Sequence, residues 1–239
     1  GTRLADERDL EEWRWLLGRL TGIRGLGAGV SNLGALAVAR KLRFREIVAD
    51  FSMNIANSQA SDELSTQGAT RITASLELGL PELTALLRAS RLPVEVVAQG
   101  PLPSMVMSHC MVAAATGHSP QDVCPMNCKK GDWFLRDPAG LMHRVACDRR
   151  CRNHLLMAHD VCVLPNLARL ARLGPAAMRI EAQFDSAEVV SVLTKAYRRE
   201  IDALSKRLPS TAGQQEVAGL AAAVGRPMGD GAFAFGALG

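Results

Sequence analysis

Short β-rich runs ending in polar residues recur at Ile23 to Val30, Glu46 to Asp50, Arg71 to Ser75 and Val94 to Gln99. Their step of about 23 residues matches one strand followed by one helix. A further run, Met178 to Glu181, follows a cysteine-bearing stretch. Between the runs lie helical patterns. Leu10, Trp13, Leu16, Leu17 and Leu20 share one face of the opening segment, and Leu80, Leu83, Leu86 and Leu87 share another, with Pro81 suited to a first helical turn. Strands that alternate with helices pair in parallel, so the predicted fold class is α/β. Even spacing favours an incomplete (β/α)8 TIM-like barrel of about five βα units. An open doubly wound sheet is the alternative, which periodicity alone does not separate from it. Because the chain opens on Gly1 and a helix, the barrel reading expects about three more βα units upstream.

In both architectures the reactive face lies at the strand C-termini. The polar residues there are Ser31, Asn32, Asp50, Asn54, Ser75, Glu77, Gln99 and Glu181.

From Asp132 to Asp148 the pattern changes. WFLRDPAGLMHRV reads as two short strands around the turn Asp137-Pro138-Ala139-Gly140, an antiparallel hairpin inserted after a helix, with cysteines on both flanks. Residues 1–208 are therefore expected to form the partial barrel, with 110–162 as its Cys-rich insertion. Residues 209–239 read as a linker, a short helix and a loosely ordered Gly-rich tail. With 48% hydrophobic residues in 239, the body of the chain can bury a core and is not disordered. No stretch has the uninterrupted apolar length of a membrane helix, and the opening TRLADERDLEEW is not a signal peptide.

All six cysteines fall between Cys110 and Cys162, too sparse for a disulfide scaffold and clustered as metal ligands would be. A metal site of thiolates implies a reducing, cytoplasmic setting. Cys124, Cys128, Cys147 and Cys151 form two close pairs that could clamp zinc across the hairpin. An iron-sulfur cluster tolerates more dispersed ligands and would suit Cys110, Cys124, Cys128 and Cys151. Cys162, inside the apolar run VCVL, reads as a buried thiol. Residues 129–152 also hold seven cations against three aspartates, a surplus that could bind phosphates or equally line a solvated hairpin.

Several of these segments resemble one family. Ala49-Asp50-Phe51-Ser52-Met53-Asn54-Ile55-Ala56-Asn57-Ser58 resembles the A-D-[YF]-S-x-N-x-x-N-S segment of the collagenase-like proteins of peptidase family U32. Ser75-Leu76-Glu77-Leu78, the run from Val94 to Pro103, His109-Cys110, Cys124 with Cys128, the run from Asp148 to His154, and Arg179-Ile180-Glu181 follow in the family's order. The tail from Gly231 to Gly236 is a faint echo of a G-H-[YF]-x-x-G ending, without its histidine.

The resemblance implies a barrel and a [4Fe-4S] cluster on Cys110, Cys124, Cys128 and Cys151, with no role for Cys147. Zinc remains the alternative cofactor. It favours an enzyme, and three function classes compete. One is oxygen-independent hydroxylation of RNA or a quinone precursor, with prephenate as a possible hydroxyl donor. The second is peptidase activity, as the family name states. The third is a non-catalytic, cluster-bearing subunit paired with a second family member. No G-x-S-x-G elbow, H-E-x-x-H run or triad context accompanies the histidines, which favours the redox reading over hydrolysis. Glu181 and Glu77, at predicted strand ends, are the candidate catalytic carboxylates, and Asn54, Asn57, Gln99 and Arg179 the candidate substrate-binding residues. His109 and His154 lie close to expected ligands and are read as their hydrogen-bond partners.

Overall fold

Each βα unit starts its helix with a local signal. A computed structural model of the chain describes residues 5–118, 123–209 and 212–233. Its elements are α1 (Glu7–Leu20), β1 (Ala28–Val30), α2 (Leu33–Lys41), β2 (Ile47–Ala49), α3 (Ser58–Thr66), β3 (Arg71–Thr73), α4 (Leu80–Ala89) and β4 (Val94–Met107). There follow α5 (Met111–Ala115), β5 (Trp133–Arg136), β6 (Met142–Cys147), β7 (Asn153–Cys162), α6 (Leu167–Arg172), β8 (Ala177–Ile180), α7 (Ala187–Ser205), α8 (Gln214–Val224) and β9 (Met228–Gly229). Asp6 and Asp9 form a reciprocal capping box on α1, Asn32 caps α2, Asn57 caps α3 and Ser186 caps α7. Each of these side chains takes up a backbone N–H that the first helical turn leaves without a partner.

The runs expected as strands are all strands, and β1, β2, β3, β4 and β8 pair in parallel in that order. The order never reverses, so the sheet has no switch point of the doubly wound kind. It is a curled half-barrel, and it does not close: β1 has β2 as its single strand partner among the described residues.

Register assigns its two faces. Ala28 pairs with Ile47, Ala49 with Ile72 and Ile72 with Val94, so these residues share one side with Val30, Ala74 and Val96. All are buried, against Leu36, Leu64, Leu83 and Leu86 of the helices. The opposite side carries Ser31, Asp50, Arg71, Thr73, Ser75, Glu95, Arg179 and Glu181. Apolar burial on the helix side is worth about 25 cal/mol per Å², which leaves the other face free to be polar.

β4 departs most from the sequence reading, running eight residues past Gln99 to Met107. Gln99 is paired on both sides, with Ile180 of β8 and with Cys162 of β7. The antiparallel strand β7 therefore takes the edge of β4 beyond the reach of β3, and β6 and β5 continue outward from it. The hairpin between β5 and β6 pairs Trp133 with Val145 and Arg136 with Met142, closed at Asp137 to Gly140. The apolar run VCVL begins in β7, a strand absent from the expected runs, and continues past its end into Leu164.

The expectation of a loose Gly-rich tail fails for residues 225–233. Strand β9 pairs with β7, Arg226 forks onto Asp160 at 2.9 and 2.8 Å, and Phe233 is buried in the main core. The tail's final residues, 234–239, lie outside the described residues.

Candidate functional site

The polar face of the half-barrel gathers around one guanidinium. Arg179 on β8 reaches Asp50 at 2.6 Å, Glu95 at 3.1 Å and Glu181 at 2.7 Å, and lies 5.2 Å from the centre of the Phe51 ring. Asp50 follows β2, three strands from β8. Neighbouring strands are about 4.8 Å apart, so three steps along a flat sheet would be about 14 Å, too far for one side chain. Curling of the sheet brings the two residues face to face.

Thr73 Oγ1 also donates to Glu95, at 3.1 Å, and the Arg71 guanidinium stands 4.0 Å from it. Burial pushes the Glu181 carboxyl up from its ordinary range; Arg179 pulls it down, and Asp50 and Glu95 push it up again. For Arg179, burial works against the charge, but the surrounding carboxylates, Asp50 first, raise its pKa above normal. The guanidinium thus sits among three carboxylates, hydrogen-bonded to Asp50 and Glu95 and ion-paired with Glu181.

The backbone at this site is equally constrained. Glu181 N donates to Gln99 O at 2.8 Å, and Gly100 adopts φ +126° where a Cβ would collide with the Glu181 carbonyl. Only glycine allows that approach. Gln99 itself is fully buried, its side-chain oxygen accepting from Tyr197 at 3.3 Å. Asn54, exposed and in the left-handed region at φ 55°, accepts a 2.5 Å hydrogen bond from Ser75. Asn57 is exposed and caps α3 through Ala60, and Glu77 is exposed on the β3–α4 connection. Glu181, Arg179 and Asp50 are thus brought together, while Asn57 and Glu77 stand apart from the cluster's ion pairs. Glu95 is the member that sequence reading missed. Its signal was a charged residue inside the apolar run VEVVA.

The cysteines occupy the arm built from β5, β6, the outer half of β7 and α5. Cys110, Cys128 and Cys147 pack around a small cluster of Val112, Val145 and Leu155. Burial, then the neighbouring Cys128, Cys110 and Cys151, pushes the Cys147 thiol up to about 12. The Cys151 thiol is raised by burial and by Cys124, Cys110 and Cys128. Five cysteines from separate segments are therefore electrostatic neighbours, while Cys162 is buried apart from them beside Tyr197. As they stand, no three histidine, cysteine, aspartate or glutamate side chains among the described residues are drawn together into a finished metal site, so a bound group would have to pull its ligands inward.

Asn153, fully buried, ties these segments together. Its Oδ1 accepts from Met111 N, next to Cys110, at 2.8 Å; its Nδ2 donates to Cys147 Sγ at 3.4 Å and to Cys151 O at 3.3 Å. Cys151 sits at φ 58° in a turn organised by Asp148, which accepts from Arg150 N, Arg152 N and Arg152 Nε. The basic surplus of this arm is largely neutralised. Arg144 meets Asp132, Arg149 meets Glu12, Arg150 meets Asp9 and Glu12, and Arg152 meets Asp9 and Asp148.

His143 and His154 each reach one carboxylate, Asp137 at 3.2 Å and Asp148 at 3.4 Å. Among the described residues no hydrogen bond joins either ring to a serine, threonine or cysteine, so no nucleophile–base pair is assembled there. No helix is long and apolar enough to cross a membrane among the described residues.

No curated protein and no solved structure matches the chain. A sequence model of peptidase family U32 matches residues 3–236, a span that takes in the half-barrel with its carboxylate cluster, the cysteine arm and strand β9 of the tail. The chain belongs to peptidase family U32.

Proposed function

We propose that the chain is an iron-sulfur protein that modifies its substrate by oxygen-independent hydroxylation, with an RNA base or a quinone precursor as substrate class. The observation that carries this reading is the packing of Cys110, Cys128 and Cys147, from three separate segments, around one small apolar cluster, with Cys124 and Cys151 as their electrostatic neighbours. Soft thiolates are the donors that iron-sulfur clusters take. Cys110, Cys124, Cys128 and Cys151 would hold the cluster, and Cys147, fixed in strand β6 opposite Asn153, is the spare thiol. When bound, a [4Fe-4S] cluster supplies one-electron redox chemistry.

The chain's own residues would do the rest at the polar face. Glu181, half-buried and with its affinity for protons raised, takes or gives a proton at the substrate. Arg179 keeps Glu181, Asp50 and Glu95 at fixed positions, and Phe51 screens one side of the guanidinium. Zinc on the two close cysteine pairs is the competing occupant, and peptide hydrolysis the competing reaction.

The test is anaerobic purification with visible absorption and counts of iron and sulfide. Brown protein with about four irons per chain is expected. Single Cys→Ser changes at Cys110, Cys124, Cys128 or Cys151 should remove most of the iron, and Cys147→Ser should not. Colourless protein with one zinc would replace this reading, and peptide cleavage by metal-free protein would restore hydrolysis. Glu181→Gln should leave the absorption spectrum intact and lower turnover at least a hundredfold.

A further inference from the structure

At the N-terminal end of the parallel strands, opposite the carboxylate cluster, the loops α1–β1 and α2–β2 enclose a cleft of about 540 Å³. It is lined by Arg24, Arg43 and Arg45, and by Ile23, Leu26 and Phe44. These arginines differ from those of the cysteine arm's turn and of the carboxylate cluster. The arginines of the cysteine arm at positions 144, 149, 150 and 152 each face a carboxylate, as do Arg71, Arg179 and Arg226. Among the described residues the side chains of Arg24, Arg43 and Arg45 have no ion pair and no hydrogen bond. The cleft's one carboxylate, Glu46, is taken by Arg71 at 3.0 Å.

Two ordinary explanations for surface cations do not account for the group as a whole. Arg40 and Lys41 occupy the last turn of α2, where positive charge answers the helix dipole, and Arg43 follows its C-cap Leu42, but Arg24 and Arg45 lie in loops away from any helix end that would call for a cation. Nor is the cleft a purely polar surface: Ile23 is 54% and Leu26 37% exposed beside the guanidinium groups. Unpaired cations next to uncovered apolar side chains match a ligand with an anionic head and an apolar or ring-bearing body. Guanidinium groups bind carboxylate and phosphoryl oxygens alike in two-pronged fashion, but three of them around one cleft offer more donors than a single carboxylate's two oxygens take up, which suits a phosphoryl group.

We propose that this cleft binds a small organic phosphate, with Arg24, Arg43 and Arg45 on the phosphoryl oxygens and Ile23, Leu26 and Phe44 against the ligand's body. A bounded cleft between two loops favours a small ligand over a polyanion chain, which would need a continuous basic track. The site is independent of the cysteines, so it stands or falls apart from the iron-sulfur reading.

The test is calorimetric titration of the full chain with pyrophosphate, ADP and adenosine at fixed ionic strength. Pyrophosphate and ADP should bind below millimolar concentration, ADP more tightly, with adenosine weaker than ADP by more than tenfold. Arg43→Gln with Arg45→Gln should weaken pyrophosphate at least tenfold, Arg43→Lys with Arg45→Lys should restore part of it, and Arg149→Gln should change nothing. Circular dichroism checks that the variants fold. Equal affinity of the double Gln variant and the parent, or displacement of pyrophosphate by chloride alone, would overturn the proposal. So would binding of a single-stranded oligonucleotide without binding of pyrophosphate.

Discussion

The polar face of the half-barrel and the cysteine arm share one strand, β4, but they are held by different forces. The first half of β4 lies in a sheet whose other side is covered by helices, and the core there is continuous from Ala28 to Phe233. The second half, with β7 and β6, has one small buried cluster of its own, Val112, Val145 and Leu155. What the arm lacks in buried surface is made up by directed contacts: the Asn153 hub, the Asp148 turn and ion pairs from the acidic side of α1. Charged groups gathered on one face of a sheet are kept in place by a large apolar core behind them. Donor atoms gathered in a thin arm need hydrogen bonds to preset them, and a bound metal would add to that folding energy.

The largest effect that could break this contrast concerns the core. Ile72→Ala, at a fully buried site in β3, should cost about 3 kcal/mol in urea unfolding, because the cavity is walled by helices and sheet. Val145→Ala in the arm should cost about 1.5 kcal/mol. It should increase amide exchange in β6 and β7 without affecting β1 to β3. Equal costs with global loss of protection in both would show one cooperative unit instead of two.

A smaller effect tests where the two regions meet. Gly100→Ala places a Cβ against the Glu181 carbonyl at a φ that disfavours side chains. A loss of about 2 kcal/mol is expected, together with a change in the chemical shift of the Glu181 amide. Wild-type stability would mean that β4 and β8 part easily at this point.

The smallest effect sharpens the electrostatic side. The hydrogen bond from Arg152 holds the Asp9 carboxyl down at about 2, against an ordinary value of 3.8. A depressed folded-state pKa contributes stability above the ordinary value, and the contribution is lost as pH falls from about 4 to about 2. Asp9→Asn should therefore destabilise the chain at pH 7 by no more than about 1 kcal/mol, less at high salt, and differ little from the parent at pH 2. A difference that persists at pH 2 would point to packing of α1 as the cause.

Much of the half-barrel is legible in the chain. The runs around Val30, Ala49, Ile72 and Val96 are apolar on alternate residues and bounded by helix caps such as Asn32 and Asn57, and both signals are local. The extension of β4 was not legible, since Pro101 and Pro103 interrupt its pattern and its partner β7 lies fifty residues on. Of the candidate site, Glu181 and the cysteines stand out by residue type and position. Glu95 does not, because a single carboxylate inside a strand looks like a solvent-facing residue until its neighbours are known.

By itself, then, the sequence determined the alternation of strand and helix, the family and the identity of the thiol-bearing segments, since each is written in short-range pattern or residue type. Only the tertiary structure decided that Asp50 faces Arg179 across three strands, that Asn153 ties Cys147 and Cys151 to the start of α5, and that the arm's arginines are answered by Asp9 and Glu12 of α1. These contacts depend on how far the sheet curls and where a helix more than a hundred residues away comes to rest. Both follow from the burial of the whole apolar core, which no local window of the chain contains.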